Sequence, residues 1–87
     1  MKLITLTTPQ LDTAALSAIC APGDCILLRQ DAVYLCLQPA LALPVPLLAL
    51  ASDVQWRNIE PQAKVELIDD ARWVELCASA NQNLLWN

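Results

Sequence analysis

Residues 32–52 contain no charged side chain. On count alone such a stretch is long enough to cross a bilayer as a helix, for which about 20 residues suffice. Pro39, Pro44 and Pro46 lie inside it. Each proline deletes a helical hydrogen bond and clashes with the preceding turn, at a cost of ~3 kcal/mol in a helix interior. The residue before a proline also avoids the α region, so Leu43-Pro44-Val45-Pro46 does not continue a helix. The stretch therefore reads as buried segments on either side of an apolar, proline-rich connection over residues 39–46, and no membrane span is expected.

The rest of the chain alternates between short apolar runs and helical patterns. Lys2-Leu3-Ile4-Thr5-Leu6 reads as a first strand. Thr8-Pro9 resembles a helix N-cap followed by proline at the first helical position. Leu11, Ala15, Ala18 and Ile19 then recur at helical spacing. Pro22-Gly23 ends that helix. Cys25-Ile26-Leu27-Leu28 is continuously apolar, as expected of a parallel strand buried on both faces. Asp31 is placed as the cap of a short helix over residues 32–37. Pro46-Leu47-Leu48-Ala49-Leu50 reads as a third strand. Ser52 or Asp53 is expected to cap a short helix ending near Asn58. Lys64-Val65-Glu66-Leu67-Ile68 is a fourth strand with charged residues, which points to a more exposed position. Asp69-Asp70 opens a last helix, with Ala71, Val74, Cys77 and Ala78 as its inner face. Asn83-Leu84-Leu85-Trp86 is either a fifth strand or a terminal tail. Strands alternating with helices imply βαβ units with right-handed crossovers. The pattern has no repeat and no linker, so residues 1–87 are expected to form a single α/β domain. A flavodoxin-like strand order is the expectation.

Composition narrows the function classes. Of the 87 residues, 56% are hydrophobic and only 16% are charged, where a soluble domain averages about 25% charged. One small core does not hide that much apolar side chain, so the excess is expected to cover another subunit. The isolated chain is expected to self-associate. The net charge is −4, and Lys2, Arg29, Arg57, Lys64 and Arg72 are scattered. Phosphate binding draws on clustered cations, so direct nucleic-acid binding is not expected. Met1-Lys2 leads to only a few mixed residues before Thr7-Thr8-Pro9, with no secretory pattern, and a cytoplasmic location is expected.

With no histidine and one glycine, most hydrolytic triads, most zinc sites and glycine-rich phosphate loops are removed. No metal and no cofactor is expected. Asp69-Asp70 reads as a helix cap with a favourable dipole interaction, not a metal pair. The only chemistry left is thiol chemistry. Cys20-x4-Cys25 is not a Cys-x-x-Cys motif, and without a secretory signal the four cysteines read as reduced thiols. Cys25, Cys36 and Cys77 are expected in the core. Cys20 is the candidate for a catalytic role, because it lies at the end of the first helix near a turn. A helix C-terminus opposes a thiolate, however, and no basic residue is near in sequence. Trp56, Trp73 and Trp86 stand out in a chain without phenylalanine, since tryptophan favours interfaces. Trp86 either docks on its own domain or on a partner.

The segment Gly23-Asp24-x-x-Leu27-Leu28-x-Gln30-Asp31-Ala32-Val33 resembles the region after the first helix in the TusB/DsrH family of sulfur-relay subunits. Ile68-Asp69 followed by Trp73-Val74-x-Leu76 is similar to that family's final strand and helix, and Trp86 falls where its chains end in tryptophan. The resemblance covers nearly the whole chain. Ala32 stands where glycine is usual and Asp70 where tyrosine is common, and the stretch from Gln38 to Pro46 is shorter. Some DsrH-like members carry a cysteine in the first helix. Cys20 lies in that element, nearer to Gly23.

The resemblance implies a small three-layer α/β/α sandwich around a largely parallel sheet of four or five strands, as in DsrEFH. It implies a non-catalytic structural subunit that joins TusC-like and TusD-like sister subunits in a heterohexamer. That complex passes persulfide sulfur to a TusE-like carrier, toward 2-thiouridine at the tRNA wobble position. The reactive cysteine then belongs to the TusD-like subunit, and the chain is not an enzyme by itself. The alternative is a thiol-active sulfur carrier using Cys20 in a DsrEFH-type sulfur oxidation complex.

Overall fold

The computed structural model describes residues 1–38, 43–62 and 64–86. Five strands alternate with helices: β1 (Lys2–Leu6), α1 (Thr13–Ile19), β2 (Cys25–Leu28), a 3-10 helix (Gln30–Leu37), β3 (Leu47–Leu50), α2 (Ala51–Trp56), β4 (Glu66–Ile68), α3 (Asp70–Ser79) and β5 (Gln82–Trp86). They form one sheet in the order β4-β3-β2-β1-β5, and every pairing is parallel. The flavodoxin-like order is corrected, because β1 lies between β2 and β5 while β3 pairs with β2. The margins of this sheet are β4 and β5, which both carry exposed polar residues. The wholly apolar β2 and β3, buried along their length, sit inside.

This order also dictates the layers. Strands β1 to β4 step one way across the sheet, and the chain then returns to β5. Crossovers of one hand place the first three helices on one face and α3 on the other. The two packed clusters match that division. Ile4, Leu6, Ile26, Leu28, Leu47 and Ala49 meet Leu16 of α1, Val33 and Cys36 of the 3-10 helix, and Val54 of α2. On the opposite face Leu3, Cys25, Leu27, Leu48, Leu50 and Ile68 meet Leu76 of α3. Strand alternation sorts neighbouring leucines to opposite faces, and burying each one fully contributes about 1.5–3 kcal/mol. The expected α/β/α sandwich with a parallel sheet is the observed fold.

Several local expectations are corrected. Helix α1 starts at Thr13, not at Thr8-Pro9. Asp12 is the N-cap, and its side chain accepts from the backbone N–H of Ala15 at 3.1 Å. The helix buries Leu16 while Ala18 is exposed. The segment after β2 is a 3-10 helix from Gln30, without a side-chain cap; Asp31 instead pairs with Arg57 at 3.1 Å. Helix α2 begins directly after β3 with Leu50 as N-cap. Asp53 does not cap that helix: its carboxylate accepts from the N–H of Gln30 at 2.9 Å. In α3 the inner face is Trp73, Leu76 and the expected Cys77, continued by the C-cap Ala80, while Ala71, Val74 and Ala78 are exposed. The helix rotates so that its largest apolar groups meet the sheet. The Asp69 cap stands as expected, accepting from the N–H of Arg72 at 2.8 Å. The proline-rich connection lies partly, over 39–42, outside the described residues.

Candidate functional site

Cys20 is the C-cap of α1, just before the strand β2 begins. Its Sγ donates to the carbonyl of Leu16 at 3.3 Å, and the side chain is half-buried against the larger cluster. Burial pushes the Cys20 thiol up, the charge of Asp24 adds to this, and Lys2 opposes it. A thiolate is the nucleophilic form, and this setting disfavours it. Lys2 is a cation near Cys20 that the linear sequence does not place there; the β1–β2 pairing brings it close.

The group that organises the turn between α1 and β2 is Asp24, which stood in the sequence only as part of a motif. It is 4% exposed. Its carboxylate accepts from Lys2 Nζ at 2.7 Å, from the N–H of Lys2 at 2.8 Å and from the N–H of Ala21 at 2.9 Å. The Lys2 side chain and these backbone donors hold the carboxyl at about 2, against the opposing effect of burial. Asp24 thus closes the turn through Gly23, whose φ of +90° suits glycine, and ties it to the start of β1. Pro22-Gly23-Asp24 before an apolar strand was the available signal.

The remaining thiols pack against apolar side chains. Cys25 is buried at the head of β2, with its Sγ 3.7 Å from Met1 Sδ, and burial followed by Asp24 pushes its thiol up. Cys36 is fully buried, and burial raises it as well. Cys77 is half-buried on the inner face of α3 rather than in the deep core. Among the described residues no group of three or more histidine, cysteine, aspartate or glutamate side chains is placed to hold a metal.

The tryptophans part ways. Trp73 lies on the α3 face beneath the guanidinium of Arg29, 4.0 Å from its ring centre. Trp86 is paired in register with Leu6 and packs partly buried on the larger cluster, so it docks on its own chain. Trp56 is 85% exposed. Tyr34, Leu37, Leu67, Val74 and Leu85 are also exposed, and these residues carry the apolar excess that the composition implied. Among the described residues no helix is long and apolar enough to cross a membrane. The site that the sequence singled out is therefore a half-buried thiol whose surroundings disfavour the thiolate, on a domain rich in exposed apolar side chains.

A family model described as DsrH like protein matches residues 8–83. No curated protein matches the chain.

Proposed function

This chain belongs to the DsrH-like family, that is the TusB/DsrH family of sulfur-relay subunits, and from that premise we propose that it is a non-catalytic structural subunit of a TusBCD-like complex. Such a complex passes persulfide sulfur toward 2-thiouridine at the tRNA wobble position. In this reading TusC-like and TusD-like sister subunits complete a heterohexamer in the cytoplasm, the TusD-like subunit holds the reactive cysteine, and a TusE-like carrier receives the sulfur.

One observation carries the reading. Cys20, the candidate thiol of the sequence, sits at a helix C-terminus, donates to the carbonyl of Leu16 and is pushed away from the thiolate by burial and Asp24. A sulfur acceptor needs the opposite surroundings. The exposed apolar side chains favour a contribution through surface.

The alternative, sulfur carriage by Cys20 in a sulfur oxidation complex, draws on the nearby Lys2, whose charge favours the thiolate. Complementation separates the two. A strain lacking this chain is supplied with the wild type or with Cys20→Ser, and wobble-uridine thiolation is measured, or sulfur oxidation where that pathway is present. The structural reading expects equal rescue at equal protein levels. A Cys20→Ser form that folds, joins the complex and transfers no sulfur establishes the carrier instead. Persulfide loading followed by mass spectrometry gives an independent readout, with no stable +32 Da adduct on Cys20 expected, a mass set by one added sulfur atom at about that value.

A further inference from the structure

The two margins of the sheet are built differently. At β4 the strand is three residues long, carries the exposed Glu66, and is preceded by the exposed Lys64. Short length and charge are the usual protections of an open edge. At the other margin β5 is five residues long, Gln82-Asn83-Leu84-Leu85-Trp86, and has no charge and no proline. Its inner side pairs with β1 along its whole length. Its outer side has no strand neighbour among the described residues, and the outward backbone N–H and C=O groups of an edge strand call for another strand.

We infer that β5 is an interaction edge that pairs antiparallel with β5 of a second copy of this chain, about a two-fold axis through Leu84. Only this register pairs all five residues, setting Leu84 opposite Leu84, Asn83 opposite Leu85 and Gln82 opposite Trp86 of the second copy. A two-fold contact demands a surface complementary to itself, and a strand without charge meets its own copy without repulsion. The β4 edge, with Glu66, does not offer this. The pairing also shelters Leu85, which is 64% exposed. Each face stays continuous across the seam, since the two-fold axis runs perpendicular to the sheet. A five-residue seam falls short of the roughly 800 Å² that each partner buries in a stable interface, so the dimer is weak and depends on concentration. The inference does not rest on the sulfur-relay reading.

Two double variants test it by sedimentation velocity of the 87-residue chain over a range of concentrations, with circular dichroism as a check of folding. Asn83 and Leu85 are both exposed, so substitution leaves the core intact. Asn83→Lys with Leu85→Lys sets like charges directly opposite each other twice across the seam, and the dimer dissociation constant should rise about tenfold. Asn83→Lys with Leu85→Glu sets opposite charges face to face, and association should match or exceed that of the wild type. Amide exchange gives a second reading on the wild type: residues 82–86 should become more protected as concentration rises, and residues 66–68 should not. A wild type that stays monomeric up to about millimolar concentration overturns the inference. So does association that the two-lysine variant leaves unchanged, which would place the contact elsewhere, or an equal loss in both variants, which would exclude the antiparallel register.

Discussion

Lys2 and Asp24 are joined twice: the Lys2 ammonium lies 2.7 Å from one oxygen of the Asp24 carboxylate, and the Lys2 backbone N–H donates to the other at 2.8 Å. The pair fastens the turn before β2 to the first residue of β1. Ala21 adds a third donor. The carboxyl is held at about 2, below the ordinary aspartate value of about 3.9. A carboxyl depressed in the folded state binds its proton more readily when unfolded. Its contribution is thus complete above about pH 4 and is lost as pH falls toward 2. Acid unfolding followed by circular dichroism should show this, and Asp24→Asn should lower the melting temperature at neutral pH and flatten the slope between those limits. An unchanged acid profile in the variant would falsify the assignment.

Thiol reactivity should follow burial. Alkylation of Cys20 should be slower than that of an unfolded reference cysteine at neutral pH, and its rate should rise at higher pH, because burial and Asp24 raise the thiol. Cys25 and Cys36 should react only on unfolding, since both are buried. Peptide mass spectrometry over a pH series measures each site. Fast labelling of Cys20 at neutral pH contradicts the described environment.

Leu16 is the buried residue of α1, while Val74 points outward from α3. Leu16→Ala should destabilise the chain by about 2–5 kcal/mol, through lost burial and the cavity left behind. Val74→Ala should change stability by less than about 0.5 kcal/mol, as an exposed substitution does. Urea titration of both variants compares them directly, and the reverse ranking would reject the helix orientations.

The caps give a third comparison. Asp69→Ala and Asp12→Ala each remove a side-chain acceptor from a helix start and should cost about 0.5–2 kcal/mol. Thr8→Ala removes no cap and should be nearly neutral. Equal losses for Thr8 and Asp12 would move the start of α1 back toward Pro9.

The sequence by itself determined the parts whose signals are local. Cys25–Leu28 and Leu47–Leu50 are apolar on both faces, and only a covered parallel sheet accepts such strands, so both were legible as buried. The Asp69 cap was legible because its bond closes within one helical turn. So was the resemblance to the DsrH-like family, since it rests on residues in order along the chain. The tertiary structure alone decided what depends on distant neighbours. Strand order needed β5 to return beside β1, a choice that propensity does not encode. Asp53 and Asp31 look like caps from their neighbours in sequence, yet the folded chain brings Gln30 to one and Arg57 to both. The inner face of α3 was misplaced because alanine and valine fit a helical stripe as well as Trp73 and Leu76 do. The sheet beneath selects the pair that buries more apolar area. The surroundings of Cys20 were half visible, since the helix end is local. Lys2 and Asp24 reach that thiol together only because β1 and β2 lie side by side, a pairing set by hydrogen bonds between residues more than 20 positions apart.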